Sequence, residues 1–439
     1  MNEPGQRVDT AMRGLLRSLF DAALRMADAA DRLPPMLPPV PATGRIVVVG
    51  AGKAAAVMAM AAARRYGDRV GGVVVTRHGH GLRAGESAAM IRVLEAAHPA
   101  PSDDAVRAAD AILAQVAGLD DTDIVVCLFS GGGSALLEKP IDALSFADLR
   151  RINIALLAGG APIKKINVVR KHLSLIKGGR LAVAAWPARV CAFAVSDVPG
   201  DDPSTIASGP TVADPSSCAD ALRIIRRYGV AIPDSLEAAL EDGRWETPKP
   251  GDPRLARSTF QLLATPRDAL AAATTMAREG GFEVIDLGTD VEGEAADVAA
   301  RHARFAVAAA ERGARAIILS GGELTVTHDG GGTGGPNREY ALALAIALRG
   351  QAGVWALAAD TDGADGFPDA AGAVVTPDTL ARARGLGLDP ERALKIHDSG
   401  PIFRALGDDV VTGPTRANVA DFRAIIVAPA SPYPAMSRE

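Results

Sequence analysis

Residues 45–56 read RIVVVGAGKAAA. Ile46 to Val49 form an unbroken β-branched run, the pattern of a parallel strand buried on both faces. Gly50 and Gly52 follow as a tight turn into an alanine-rich helix. Strand, glycine turn and helix together open a doubly wound α/β sheet. The rhythm extends outward from this point. Short apolar runs at 73–75, 124–129 and 190–195 alternate with helical patterns such as 105–116. Upstream, residues 8–30 carry apolar positions at helical spacing until the prolines between 34 and 41 stop them. A polar, Pro- and Gly-rich stretch at 241–257 reads as a hinge. Beyond it, strands are expected at 260–264, 284–287, 316–319, 354–358 and 425–427, with helices at 267–278, 295–312 and 338–348. The expected fold is α/β: a Rossmann-like, mostly parallel sheet with flanking helices over 1–245, a linker at 246–257, and a smaller α/β domain over 258–439. Open α/β sheets bind ligands at the carboxyl ends of their strands, so an active site in the interdomain cleft is expected.

Composition narrows the function classes. With 439 residues, 48% hydrophobic and 23% charged, the chain has the balance of a globular protein and the length of two or three domains. A net charge of −5 and only 4% aromatics leave no basic, base-stacking surface, so no nucleic-acid partner is expected. The longest apolar run, 54–63, is too short to span a bilayer, and Met1-Asn2-Glu3-Pro4 lacks the basic start of a secretory leader. Cys127, Cys191 and Cys218 form no C-x-x-C pair, as fits a reducing compartment. The seven histidines show no metal-ligand spacing, and no Cys/His cluster in the sequence points to zinc. A soluble, cytoplasmic protein is expected, and base rates favour a homodimer.

The strand ends carry the chemistry. Gly50, Gly52 and Ala55 satisfy the relaxed G-x-G-x-x-A dinucleotide pattern, but Thr76 and Arg77 stand where a ribose-binding acid should follow the next strand. Arg77 keeps an NADP-type reading open. A Walker A loop is excluded by Val47 and Ala54. What remains is Lys53 at a helix N-terminus, where dipole and ammonium both favour an anion; a tight turn with a solvated lysine is the alternative. Ser130-Gly131-Gly132-Gly133-Ser134 follows the third run, and its backbone N–H groups could close around a phosphate. Ser320-Gly321-Gly322-Glu323 echoes it, and the loop 330–335 precedes Pro336-Asn337-Arg338-Glu339.

Residues 164–180 concentrate positive charge. If 168–177 is helical, Arg170, Ser174 and Lys177 share a face able to hold a carboxylate or phosphate, against a merely solvated basic face. His172 reads as a packing or capping residue. Asp197, in the turn after the fourth run, and Asp362, in 360–366 (DTDGADG), suit Mg²⁺ or a base accepting a hydroxyl proton. Asx turns that cap their own backbone are the alternative for both. No Glu stands at the twelfth position from Asp360, which excludes an EF-hand.

The stretches GAGKAAAVM, EAAHPAPSDDAV, LFSGGGSALL, INVVRKHLSLIKGGRLA, SDVPGDDPSTIASGPT, GGPNREYALALA and DTDGADG closely resemble the class II glycerate kinases. In that family an N-terminal glycerate-kinase domain precedes a C-terminal MOFRL domain, and the likeness covers roughly residues 8–430. It implies ATP-dependent phosphorylation of D-glycerate at its 2-hydroxyl with Mg²⁺. Some members carry the name hydroxypyruvate reductase, so an NAD(P)H-dependent reductase is the alternative. A non-catalytic sensor of a phosphorylated metabolite is a third reading. The resemblance makes Lys53 the active-site lysine and Asp197 a catalytic residue and metal ligand, with Asp362 a second metal ligand. Arg170, Ser174, Asn337 and Arg338 become substrate-binding residues. Gly50, Gly52, Ser130, Gly131, Gly132, Gly133, Ser134, Gly321, Gly322 and Glu323 become nucleotide-binding residues. Where many relatives read G-G-R-N-Q-E, this chain places Pro336 at the arginine, with Arg338 two positions later.

Overall fold

The strand that opens the α/β rhythm lies at the centre of a six-stranded sheet in the computed structural model, which describes residues 3–327, 331–367 and 370–429. Its strands are β1 (Ile46–Ala51), β2 (Val70–Arg77), β3 (Met90–Ala96), β4 (Ile124–Phe129), β5 (Arg189–Val195) and β6 (Ser258–Ala264). They are ordered β3-β2-β1-β4-β5-β6, with β3, β2, β1, β4 and β5 parallel. Strand order reverses between β1 and β4, and that switch point is where such sheets place ligands. β1 and β4 are buried along their whole length, which explains their continuous apolar reading. β3 was not anticipated, because an edge strand with exposed Met90, Arg92 and Glu95 has no such run.

The second sheet is mixed. It contains β7 (Glu283–Asp286), β9 (Ala316–Gly322), β11 (Val354–Asp360), β12 (Gly372–Val375), β13 (Asp409–Val410) and β14 (Asp421–Val427), while β8 (Gly293–Glu294) and β10 (Leu324–Thr325) form a separate pair. β14 runs antiparallel to both β11 and β9, so the segment entering β14 lies beside the carboxyl ends of its two neighbours.

Two boundaries differ from the sequence expectation. The chain divides into a first unit, Asp28–Leu263, and a second unit made of Met1–Ala27 with Ala264–Glu439. β6, expected to open the second domain, forms the edge of the first sheet. The Pro- and Gly-rich stretch is not a free linker: buried Thr247 donates to Asp214 at 3.1 Å, and Glu246 sits 3.1 Å from His172. The first helix, Glu3–Met26, belongs to the second unit. There Leu16, Leu19 and Phe20 are fully buried, Phe20 against Phe422 with ring centroids 5.9 Å apart. Arg13 pairs with Asp408 at 2.9 Å, and the Trp355 indole donates to Asp9 at 3.0 Å. Sequence order cannot reveal this return, because an amphipathic helix reads the same whichever sheet it covers.

Phe20→Ala should therefore destabilise the second unit by about 3–5 kcal/mol, the usual cost of emptying an aromatic core site. Thermal unfolding of the variant tests this; an unchanged melt would mean the first helix is not part of that core.

Candidate active site

The loops leaving β1 and β4 are locked together at the switch point. The Lys53 N–H donates to Gly131 O at 2.9 Å, the Ala54 N–H to Ser130 Oγ at 2.9 Å, and the Ser130 N–H to Ala51 O at 3.2 Å. The Gly52 N–H donates to Val75 O at 3.1 Å. A Cβ on Gly52 would sit 2.1 Å from Ser130 Oγ, and one on Gly50 would sit 2.1 Å from Leu128 O. These glycines exist so that β4 can approach. With the N–H groups of Gly52, Lys53 and Ala54 all spent inside the protein, the G-x-G turn offers no donors to a pyrophosphate. Ser130, fully buried, holds the Lys53 turn with its hydroxyl.

The donors that remain lie one step further along. Among the described residues, the N–H groups of Gly131, Gly132 and Ser134 meet no acceptor. Half-buried Lys53 and His98 flank this loop: a Cβ on Gly132 would be 3.5 Å from Lys53 Cγ and 3.0 Å from the His98 ring. The Lys53 side chain, the His98 imidazole and unspent backbone donors thus meet around Gly132, an arrangement suited to an anion. His98 escaped the sequence reading because nothing in EAAHPAP pairs it with a carboxylate or a second ligand.

The loop after β5 closes the third side. Ala207 and Ser208 adopt φ of +50° and +62°, strained values for residues other than glycine. Ser208 Oγ lies 2.9 Å from Ser134 Oγ, so the strain brings the two loops into contact. Half-buried Asp197 stands at the start of this loop. Asp202 accepts from the Ser204 N–H and hydroxyl and from Thr205. Although burial opposes it, these bonds hold its carboxyl below the usual range.

The basic segment departs from expectation. Its helix, Ile163–His172, ends before Ser174, so Arg170, Ser174 and Lys177 share no helical face. Ser174 is fully buried and accepts from the Ile176 and Lys177 N–H groups at 3.2 and 3.3 Å. Lys177, also fully buried, donates to Ser134 O at 2.8 Å and pairs with Glu138 beneath the glycine loop. Burial, aided by nearby Arg170 and opposed by Glu138, pushes the Lys177 ammonium below its ordinary range. Arg170 remains half-buried, its Nε donating to Asn153 at 3.1 Å.

In the second unit, by contrast, the predicted site residues are largely consumed. Gly321 and Gly322 lie within buried β9, not in an open loop, and the Gly321 N–H donates to Gly288 O at 2.9 Å. Glu323 is exposed beside them. Gly330 lies outside the described residues. The helix Pro336–Leu348 is capped by Asp365, whose carboxylate accepts from the Asn337 N–H at 2.8 Å and the Arg338 N–H at 2.9 Å. Arg338, 1% exposed, also places Nε 3.3 Å from that carboxylate, and Asn337 donates to Asp421 at 2.7 Å. Neither side chain faces solvent, so the expectation that Arg338 and Asn337 grip a substrate gives way to a structural network. Asp362, 1% exposed, accepts from the Ala364 N–H at 2.8 Å while its own N–H donates to Asp360, as an Asx turn does.

Comparison with known proteins places these units. Residues 15–241 match a family described as a domain of unknown function, DUF4147, and residues 316–421 match the MOFRL family. A protein of Agrobacterium vitis provisionally named hydroxypyruvate reductase is 50% identical over 426 residues, covering 95% of each chain. The D-glycerate 2-kinase of Thermotoga maritima is 38% identical over 382 residues, covering 86% of this chain and 89% of the kinase. A crystal structure of glycerate kinase from that organism has a TM-score of 0.84 at 34% identity, covering 95% of this chain and 100% of the other. Among the described residues, no helix is long and apolar enough to cross a membrane.

The buried network makes a pH prediction. Burial pushes the Asp365 carboxyl up to about 6, against the pull of the Asn337 and Arg338 N–H groups and the Arg338 charge. In the unfolded chain the same carboxyl loses its proton near pH 4. Between about pH 4 and 6 the native state therefore holds more protons than the unfolded one, and Asp365 makes stability fall as pH rises. In Asp365→Asn this downward component should vanish from denaturation free energies measured across the window. An unchanged slope would show that Asp365 is already ionised there.

Proposed function

Because this chain belongs to the class II glycerate kinase family, a DUF4147 domain followed by a MOFRL domain, we propose that it transfers the γ-phosphoryl group of ATP to the 2-hydroxyl of D-glycerate. The products are 2-phospho-D-glycerate and ADP. The observation that carries the reading is the cluster of Gly131, Gly132 and Ser134 N–H groups beside Lys53 at the β1–β4 switch point. Unspent backbone donors and an ammonium fit a triphosphate, whose transfer depends mainly on positioning and charge neutralisation.

In this assignment Lys53 neutralises charge developing on the transferring group, and the glycine loop holds the phosphates without reorganising. Asp197, half-buried at the loop after β5, accepts the hydroxyl proton or serves as a ligand for Mg²⁺; Asp362, in the second unit, is buried with its carboxylate bonded to the Ala364 N–H. Mg²⁺, when bound, screens the phosphate oxygens. Arg170 is the guanidinium left for the glycerate carboxylate. Ser174 and Arg338 have less claim to the substrate because the Ser174 hydroxyl and the Arg338 Nε are bonded internally, and buried Asn337 spends its Nδ2 on Asp421 while its Oδ1 has no partner among the described residues. The reductase alternative has little support from the G-x-G turn, whose N–H groups are already bonded.

Incubation with D-glycerate, Mg²⁺ and ATP, coupled to enolase, reads the 2-phosphate selectively and so tests reaction and regiochemistry together. No signal, alongside NADPH oxidation by hydroxypyruvate, would replace the kinase reading with the reductase one. Lys53→Ala should lower kcat by about 10²–10³-fold, the scale of a single lost electrostatic stabiliser. A kcat near the parent value would remove Lys53 from the mechanism.

A further inference from the structure

Three residues outside the candidate active site, distant in sequence, converge in the first unit. His172 ends the helix Ile163–His172, Cys218 begins the helix Cys218–Arg227, and Glu246 lies in the Pro- and Gly-rich stretch once expected to be a linker. Their donor atoms, one from each side chain, all lie within 4.8 Å of one another. His172 and Cys218 are buried, while the Glu246 side chain is 37% exposed. We propose that His172, Cys218 and Glu246 form a binding site for a divalent cation of the zinc class.

The orientation of His172 carries the argument. Its Nδ1 lies 2.9 Å from Val168 O, and a carbonyl only accepts, so Nδ1 bears the hydrogen. Nε2 then faces Glu246 Oε1 at 3.1 Å, an imidazole nitrogen against a carboxylate oxygen. Such a contact needs a cation on Nε2, either a proton or a metal. Metal-bound histidines characteristically donate their other ring N–H to a carbonyl, as His172 does to Val168. The third group distinguishes the two cases. A proton bridging His172 and Glu246 has no use for a thiol, whereas Cys218 supplies the soft sulfur ligand. Burial and the Glu246 carboxylate push the Cys218 thiol up to about 11 in the metal-free protein, so binding of a cation there is accompanied by loss of the thiol proton.

One nitrogen, one sulfur and one carboxylate oxygen leave a fourth tetrahedral position, open on the exposed side of Glu246. Lys249 competes for this site, since its ammonium sits 2.6 Å from Glu246 Oε1. A bound cation would tie together the two helices and the 246–249 segment, and so hold Arg170 and Lys171 in place. The inference does not depend on the kinase reading.

The test uses the full chain after chelator treatment, titrated with Co²⁺ as a coloured probe and then with Zn²⁺. One equivalent of Co²⁺ should produce a thiolate-to-cobalt charge-transfer band that Zn²⁺ abolishes and that is absent in Cys218→Ser. Lys249→Met should bind Co²⁺ several-fold more tightly than the parent, because it removes the competing ammonium. Absence of the band in the folded parent protein would overturn the proposal without recourse to any variant. Persistence of the band in Cys218→Ser, checked for folding by its thermal melt, would also overturn it.

Discussion

The meeting of the β1 and β4 loops fixes everything else in the first unit. Two backbone-directed bonds, from Lys53 N–H to Gly131 O and from Ala54 N–H to Ser130 Oγ, require the chains to approach more closely than any side chain on Gly50 or Gly52 would permit. Once they are made, Lys53 is held beside the glycine loop and the loop's next donors are left without acceptors among the described residues. The glycine pattern of a dinucleotide site is therefore used here for a different purpose. It lets one loop act as a template for the other, and the unspent donors come from the loop after β4 instead of the loop after β1.

The same accounting separates the two units. Glycine-rich and acidic motifs occur in both, and by sequence alone they look equivalent. In the second unit the helix N-terminus at Pro336 is already satisfied by Asp365, which takes the N–H groups of Asn337 and Arg338. This also explains how proline is tolerated at position 336. Proline suits the first turn of a helix, where its missing N–H is not required, and Asp365 serves the donors that follow. Arg338, two positions on, is buried and presents no guanidinium at the surface.

Much of this was legible in the residues. Continuous apolar runs placed β1, β4 and β5 nearly to the residue, and the glycine turn after β1 marked the switch point. The edge strand β3 was missed because its exposed Met90, Arg92 and Glu95 break any apolar run, and the assignment of the first helix was missed because burial pattern does not name the partner surface. For the site, Lys53 and the SGGGS loop were visible as residue types next to a strand. Which N–H groups were free was not, since that depends on pairings across the sheet. Ser174 illustrates the difficulty: helical spacing put it beside Arg170, but the helix stops at His172, and its hydroxyl turns back to cap the following turn.

Buried cations that grip backbone carbonyls recur beneath these loops. Lys177 holds Ser134 O below the glycine loop, Arg423 holds Gly321 O at the end of β9, and Arg338 donates to Asp365 O at the capped helix. Each is fully buried and each also pairs with a carboxylate. Apolar side chains of similar volume would often serve stability as well or better, because desolvating two charges offsets much of their attraction. An apolar side chain cannot, however, fix the direction of a carbonyl. Where the peptide plane sets which way an N–H points, that directional bond has a consequence packing alone does not supply. At Ser134 it orients the backbone beside the unspent donors at Gly131 and Gly132. The buried lysine thus acts on a loop whose unspent donors lie beyond its own reach.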